Sequence, residues 1–144
     1  MSQLTPMRSQ LIIASTEMLL ISDASIPAVD AEFRYYTDDP LAVRLMLSID
    51  QNPAVCWTFG RDLLLIGAQM PSGNGDVQVY PTHDGVIVEL HAGDVVAKLL
   101  AFGPDLTEFL RRTTTAVPMG SEHLHYDIDA ELRGLPLYDT LHEA

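Results

Sequence analysis

The chain alternates between two hydrophobic periods, and the places where the period changes mark its elements. Val43, Leu45, Leu47 and Ile49 interleave with Ala42, Arg44, Met46 and Ser48, giving a strand with one wholly aliphatic face. A turn at Gln51-Asn52-Pro53 leads to Val55, Trp57 and Phe59, again at period two, so the two runs form a hairpin. The period then lengthens. Leu63, Ile66, Gly67 and Met70 fall at helical spacing, with Asp62 in the first turn, where its charge suits the helix dipole. Upstream, Val29, Ala31, Phe33 and Tyr35 alternate with Asp30, Glu32, Arg34 and Tyr36, the pattern of a half-buried strand. Residues 10–21 are β-rich, but Ser15, Thr16 and Glu17 interrupt the alternation, which predicts an edge strand or a bulge. Residues 1–9 read as a loose end.

Pro71 stops the first helix, and Ser72-Gly73-Asn74-Gly75 reads as a flexible loop. Strands follow at 77–81, 86–91 and 95–102, joined by the tight-turn pairs Asp84-Gly85 and Gly93-Asp94. The last is apolar on both faces except at Lys98, which predicts a central strand or one covered by another chain. Gly103-Pro104-Asp105 opens a second helix whose inner face is Leu106, Phe109 and Leu110. Arg111 and Arg112 are placed to complement its C-terminal end, Thr113 to Thr115 read as a fraying end, and Pro118-Met119-Gly120 breaks it. A short third helix is expected from Asp127 to Leu135, ended by Pro136, with 136–144 as a tail. Four strands and a helix, then three strands and a helix, predict antiparallel sheets of the α+β class in a single domain spanning 1–144.

Composition narrows the function classes. No apolar run is long enough to cross a bilayer, Met1 to Gln10 lacks the regions of a signal peptide, and Cys56 is the single cysteine. These features predict a cytosolic protein with no membrane insertion. Twenty acids against eight bases give a net charge of −12, spread along the chain, and such a surface repels phosphate backbones and anionic membranes. Partners are then expected to be proteins. The charge equally serves plain solubility.

Candidate chemistry is sparse. His123, His125, Asp127 and Asp129 alternate and on a strand would share one face, as ligands for zinc or iron do, although capping of the last helix accounts better for the two aspartates. Ser72 to Gly75 lacks the Lys-Ser/Thr ending of a phosphate loop and precedes a strand. Cys56 lies between Val55 and Trp57 with no activating base in view, and reads as a small core or sheet residue. Trp57 and Phe59 read as core, having no basic residues interleaved for base stacking. A single-strand nucleic-acid binder would need a basic groove made by Arg34, Arg44 and Arg61; a metal-dependent enzyme would be built on His123 and His125. No catalytic residue and no cofactor is indicated.

Phe33-Arg34-Tyr35, Asp38 to Val43, Trp57 to Leu64, Gly73 to Val77, Phe109 to Thr113 and Val117 to His123 together resemble the SsgA-like proteins, sporulation and cell-division regulators of actinomycetes. Order and spacing match from about residue 30 to residue 135, and within the family they look most like the SsgB type; Met1 to Met7, Cys56 and the tail after Pro136 depart from the pattern. The resemblance implies a whirly-like fold in a homotrimer, without the nucleic-acid binding of whirly proteins. It also implies a non-enzymatic protein that marks septum sites and recruits the tubulin-like division protein FtsZ, acting with an SsgA-like partner. Exposed polar residues on a constrained turn suit recognition, so Gly120, Ser121, Glu122 and His123 form the candidate partner-facing patch; helix termination alone is the competing account of that loop.

Overall fold

In the computed structural model, residues 9–48 and 54–125 are described. The expected strands all form: β1 (Leu11–Ile21), β2 (Ala28–Tyr36), β3 (Ala42–Ser48), β4 (Val55–Gly60), β5 (Val77–Pro81), β6 (Val86–Ala92) and β7 (Val95–Ala101). Two helices interleave with them, α1 (Arg61–Gly67) after β4 and α2 (Gly103–Ala116) after β7, and one 3-10 turn spans Glu122–His125. The expected helix at 127–135, residues 1–8 of the expected loose end at 1–9, the turn at 51–53 and the tail lie outside the described residues.

All seven strands join one antiparallel sheet in the order β4-β3-β2-β1-β7-β6-β5. Two meanders, β1 to β4 and β5 to β7, are sutured where Met18 pairs with Ala101 and Ile21 with Lys98. β1 is therefore interior, not an edge, and it pairs without a bulge from Leu11 opposite Tyr36 to Leu19 opposite Ala28. Its polar stretch has another cause. Ser15 and Glu17 face solvent beside Glu32 and Asp30, while Thr16 turns toward α2 and donates a 2.6 Å hydrogen bond to Asp105.

The core lies on one face of this sheet. Val29, Phe33 and Tyr35 of β2, Val43 and Leu45 of β3, Val88 of β6 and Leu99 of β7 are buried there against Leu106, Phe109 and Leu110 of α2. The rings of Phe33 and Phe109 pack with centroids 5.4 Å apart. β7 is interior, between β1 and β6, although Val95 and Val96 at its start are exposed.

Helix α1 continues directly from β4, one edge of the sheet, and packs against β5, the other. Seven strands laid flat would separate those edges by roughly 29 Å at ~4.8 Å per strand, whereas seven helical residues span only about 10 Å. The sheet must curl to bring both edges to one short helix. The buried side of α1 is Arg61, Leu64 and Gly67; of the expected stripe through Leu63, Ile66, Gly67 and Met70 only Gly67 is buried, Leu63 is half-buried and Ile66 and Met70 are exposed, so the stripe is rotated. A charged residue at its first position hid the true register. Beyond α1 the chain doubles back: Ser72 exchanges backbone hydrogen bonds with Val79 (2.8 and 2.9 Å), and Gly73 has φ +94°. The expected loop thus begins as a return along the outer side of β5 at Ser72, while Asn74 and Gly75 are exposed.

Gly67 sits so close to β5 that a Cβ would overlap the side chain of Val79, while one at Gly103 would meet open space. Gly67→Ala is expected to cost about 1–3 kcal/mol through overpacking, read as a melting temperature lower by roughly 3–4 °C per kcal/mol. Gly103→Ala, the control in the other helix, is expected to melt no lower than the parent.

Candidate functional site

Arg61 is the first residue of α1, yet it is 1% exposed. Helical side chains lean toward the N-terminus of their own helix, which carries this guanidinium away from α1 and under the end of α2. A helix C-terminus presents carbonyls with no intrahelical partner and a partial negative charge. One terminal nitrogen of Arg61 (Nη1) donates to the carbonyls of Thr113 (3.1 Å) and Val117 (2.7 Å), and the other (Nη2) donates to Glu122 Oε1 at 2.9 Å. Arg61 thus supplies the cation expected from Arg111 and Arg112. Those two serve elsewhere: Arg111 pairs with Glu108 at 2.7 Å, and Arg112 donates to the Ile13 carbonyl of β1 at 3.0 Å. The threonines do not fray, because the helix runs to Ala116 and Thr113 is fully buried, its hydroxyl donating to Leu110 O.

Beneath the guanidinium lies Tyr35, its ring centroid 5.1 Å from the Arg61 Cζ. The Tyr35 hydroxyl donates to Pro40 O at 2.9 Å, fixing the turn between β2 and β3. Burial pushes this phenol up to about 12 against the opposing pull of Arg61; Glu122 and Asp39 add to the rise. The 37–41 turn and the segment after α2 therefore share one charged centre.

That segment is tightly tied. Ser121 donates from both its backbone N–H and its hydroxyl to Pro118 O (3.0 and 2.6 Å), closing a turn in which Gly120 adopts φ +90°. That conformation at the third turn position requires glycine. Glu122 turns inward: Oε1 meets Arg61, and Oε2 accepts from the Gly120 N–H at 2.9 Å. Its own backbone N–H, the Arg61 guanidinium and the Gly120 N–H hold this carboxyl below its ordinary value against partial burial.

Of the four candidate residues, Gly120 and His123 face solvent, Ser121 is half-buried, and Glu122 anchors the loop from inside. Reading the sequence for polar residues missed Met119 and Leu124, which stand 51% and 61% exposed on the same loop. It also missed Arg61 as the anchor; the available signal was its helical spacing from Leu64 and Gly67.

The other candidates are scattered. Arg34 and Arg44 are cross-strand neighbours on the face opposite the core, bound to Glu32 and Asp39 at 3.2 Å each, while Arg61 is buried on the other side, so the three line no common groove. His123 and His125 lie in a 3-10 turn, where residues two apart point in different directions, not on a strand; Asp127 and Asp129 are outside the described residues. Among the described residues no three histidine, cysteine or acidic side chains come together as a metal-binding group. Cys56 is exposed on β4, on the sheet instead of in the core. Among the described residues no helix is long and apolar enough to cross a membrane.

The curled seven-stranded antiparallel sheet carrying two helices, formed by the described residues, is shared with solved structures. The chain matches, over residues 29–122, the family described as Streptomyces sporulation and cell division protein, SsgA, and it belongs to that family. It is 41% identical over 119 residues to the sporulation-specific cell division protein SsgB of Streptomyces coelicolor, covering 80% of this chain and 86% of that protein. The SsgB of Thermobifida fusca is 38% identical over 119 residues, covering 79% and 86%. Among solved structures, the SsgA-like sporulation-specific cell division protein from Thermobifida fusca superposes with a TM-score of 0.77 at 33% identity, covering 92% of this chain and 98% of that one. SsgB, solved in connection with mutations that correlate to longitudinal cell division during sporulation of Streptomyces coelicolor, gives 0.76 at 37% identity, covering 81% and 96%.

Removing Arg61 would leave the Val117 carbonyl and Glu122 Oε1 without their donor, while the Thr113 carbonyl keeps the Val117 N–H at 2.8 Å. Arg61→Ala is expected to cost about 3–5 kcal/mol, and Arg61→Lys less, since a lysine keeps the charge but not the fork, both by chemical denaturation. Glu122→Gln tests the loop alone. Because the folded carboxyl titrates below its unfolded value, its contribution is complete above the ordinary glutamate range near pH ~4.3 and is lost as pH falls through the folded value. The parent is expected to melt above Glu122→Gln near neutrality, and the gap to close in acid.

Proposed function

We propose that this protein is a non-enzymatic regulator of sporulation-type cell division, acting in the cytoplasm at the septum, where it marks the site and recruits the tubulin-like protein FtsZ. Membership of the SsgA family and the cell-division names of its relatives support this reading. The observation that carries it is the clamped loop: Arg61 and Glu122 hold 118–125 in place while Met119, His123 and Leu124 face outward. A partner meeting a surface already ordered loses less conformational entropy on binding. Gly120 and Ser121 shape the turn that sets this presentation, and Glu122 fixes it from below.

The protein works as a homotrimer alongside an SsgA-like partner. The apolar residues exposed on the sheet face opposite the core, Ile21 and Val96, with half-buried Leu19 beside them, support self-association; Leu100 and Ile87 of the same face are already buried within the chain.

Co-sedimentation with assembled FtsZ is the test, using protein whose mass by light scattering is that of three chains. Enrichment in the polymer pellet over a control protein of similar charge is the expected outcome. No enrichment overturns recruitment, and a monomer mass overturns the trimer.

A further inference from the structure

The loop is not the whole of the surface around the buried pair. Two segments far apart in sequence close over Tyr35 and Arg61: the 37–41 turn, held by Tyr35 through Pro40 and by Leu41 O accepting from the Arg61 N–H at 2.8 Å, and the 118–125 loop, held through Val117 and Glu122. At each segment one apolar residue is buried and others nearby stand exposed. Pro40 and Val117 are buried, whereas Leu41 is 53% exposed and joins Met119 and Leu124 as large apolar side chains standing in water.

Among the described residues, the charged side chains exposed on or beside these segments are acidic. Asp38 is exposed on the first segment, and Asp62 is exposed in the first turn of α1, next to Arg61. The two arginines tied to these segments offer no counterweight: Arg61 is buried and occupied by two carbonyls and Glu122, and Arg44 is paired with Asp39. A purely apolar partner would strip water from the aspartates without replacing it, which is costly. Phosphate-bearing partners and anionic lipid are repelled. A segment that brings cations to the rim and apolar groups to the centre satisfies both features.

We infer that this surface, built on Leu41, Met119 and Leu124 and rimmed by Asp38 and Asp62, binds a linear peptide segment of a partner in which one or two apolar side chains are flanked by lysine or arginine. The inference rests on the reading of the 118–125 loop as a partner surface and adds the second segment and the chemistry of what docks there.

Fluorescence anisotropy with labelled probe peptides tests it. One probe carries two leucines flanked by lysines; the other replaces each lysine by glutamate. The intact protein is expected to bind the lysine probe at least about tenfold more tightly than the glutamate probe, with the difference shrinking as salt screens it. Leu41→Ser/Met119→Ser/Leu124→Ser, shown by circular dichroism to be folded, is expected to lose most binding. Asp38→Lys/Asp62→Lys is expected to bind the glutamate probe instead. Equal binding of the two probes, or unchanged binding by the folded triple variant, overturns the inference; loss of self-association by that variant would give the surface to a second copy and overturn it too. The same variants in the FtsZ pelleting assay separate the two claims. If parent and triple variant pellet alike, recruitment stands and this surface fails. If the parent does not pellet but probe binding follows the pattern, recruitment fails and the surface stands.

Discussion

A positive charge enclosed in protein is tolerated only where its partners are in place, and Arg61 meets that condition with groups from three regions of the chain. Its two terminal nitrogens meet the Thr113 carbonyl in the last turn of α2, the Val117 carbonyl just after it and the Glu122 carboxylate, and its face meets a tyrosine from β2; its buried Nε alone has no partner among the described residues. Desolvating a guanidinium costs several kcal/mol, so the arrangement is stable only as a set. This makes Arg61 less a source of net stability than a device for specifying position: α1, the end of α2, the 37–41 turn and the 118–125 loop can satisfy it in one relative placement.

The curl of the sheet makes that meeting possible. β4 and β5 are opposite ends of the strand order, and α1 reaches both because the sheet wraps. Gly67 and Arg61 are on the buried side of α1 and divide the task between them. One lets the helix lie against Val79 with no side chain intervening, and the other ties its start to α2.

Much of this architecture was legible in local pattern. Period-two runs located the strands, and Gly93-Asp94 marked the β6–β7 turn, where Gly93 has φ +61°. The inner face of α2 followed from the spacing of Leu106, Phe109 and Leu110. What escaped was non-local. β1 looked peripheral because the pairing of Ile21 with Lys98 joins residues distant in sequence and leaves no trace in either neighbourhood. The register of α1 was misread because a rule that sorts charged residues outward cannot place Arg61 inside. At the candidate site, a turn around Gly120 was readable, but the inward orientation of Glu122 depends on Arg61 and could not be seen from the loop alone.

The return of the chain along β5 bears on how copies of this protein can assemble. Val79 turns its backbone N–H and C=O outward from the sheet, and Ser72 has already taken both. A strand from another molecule arriving at that position would find no free backbone group to pair with. Growth of the sheet from molecule to molecule is thereby blocked at the middle of β5, where the chain itself caps the edge.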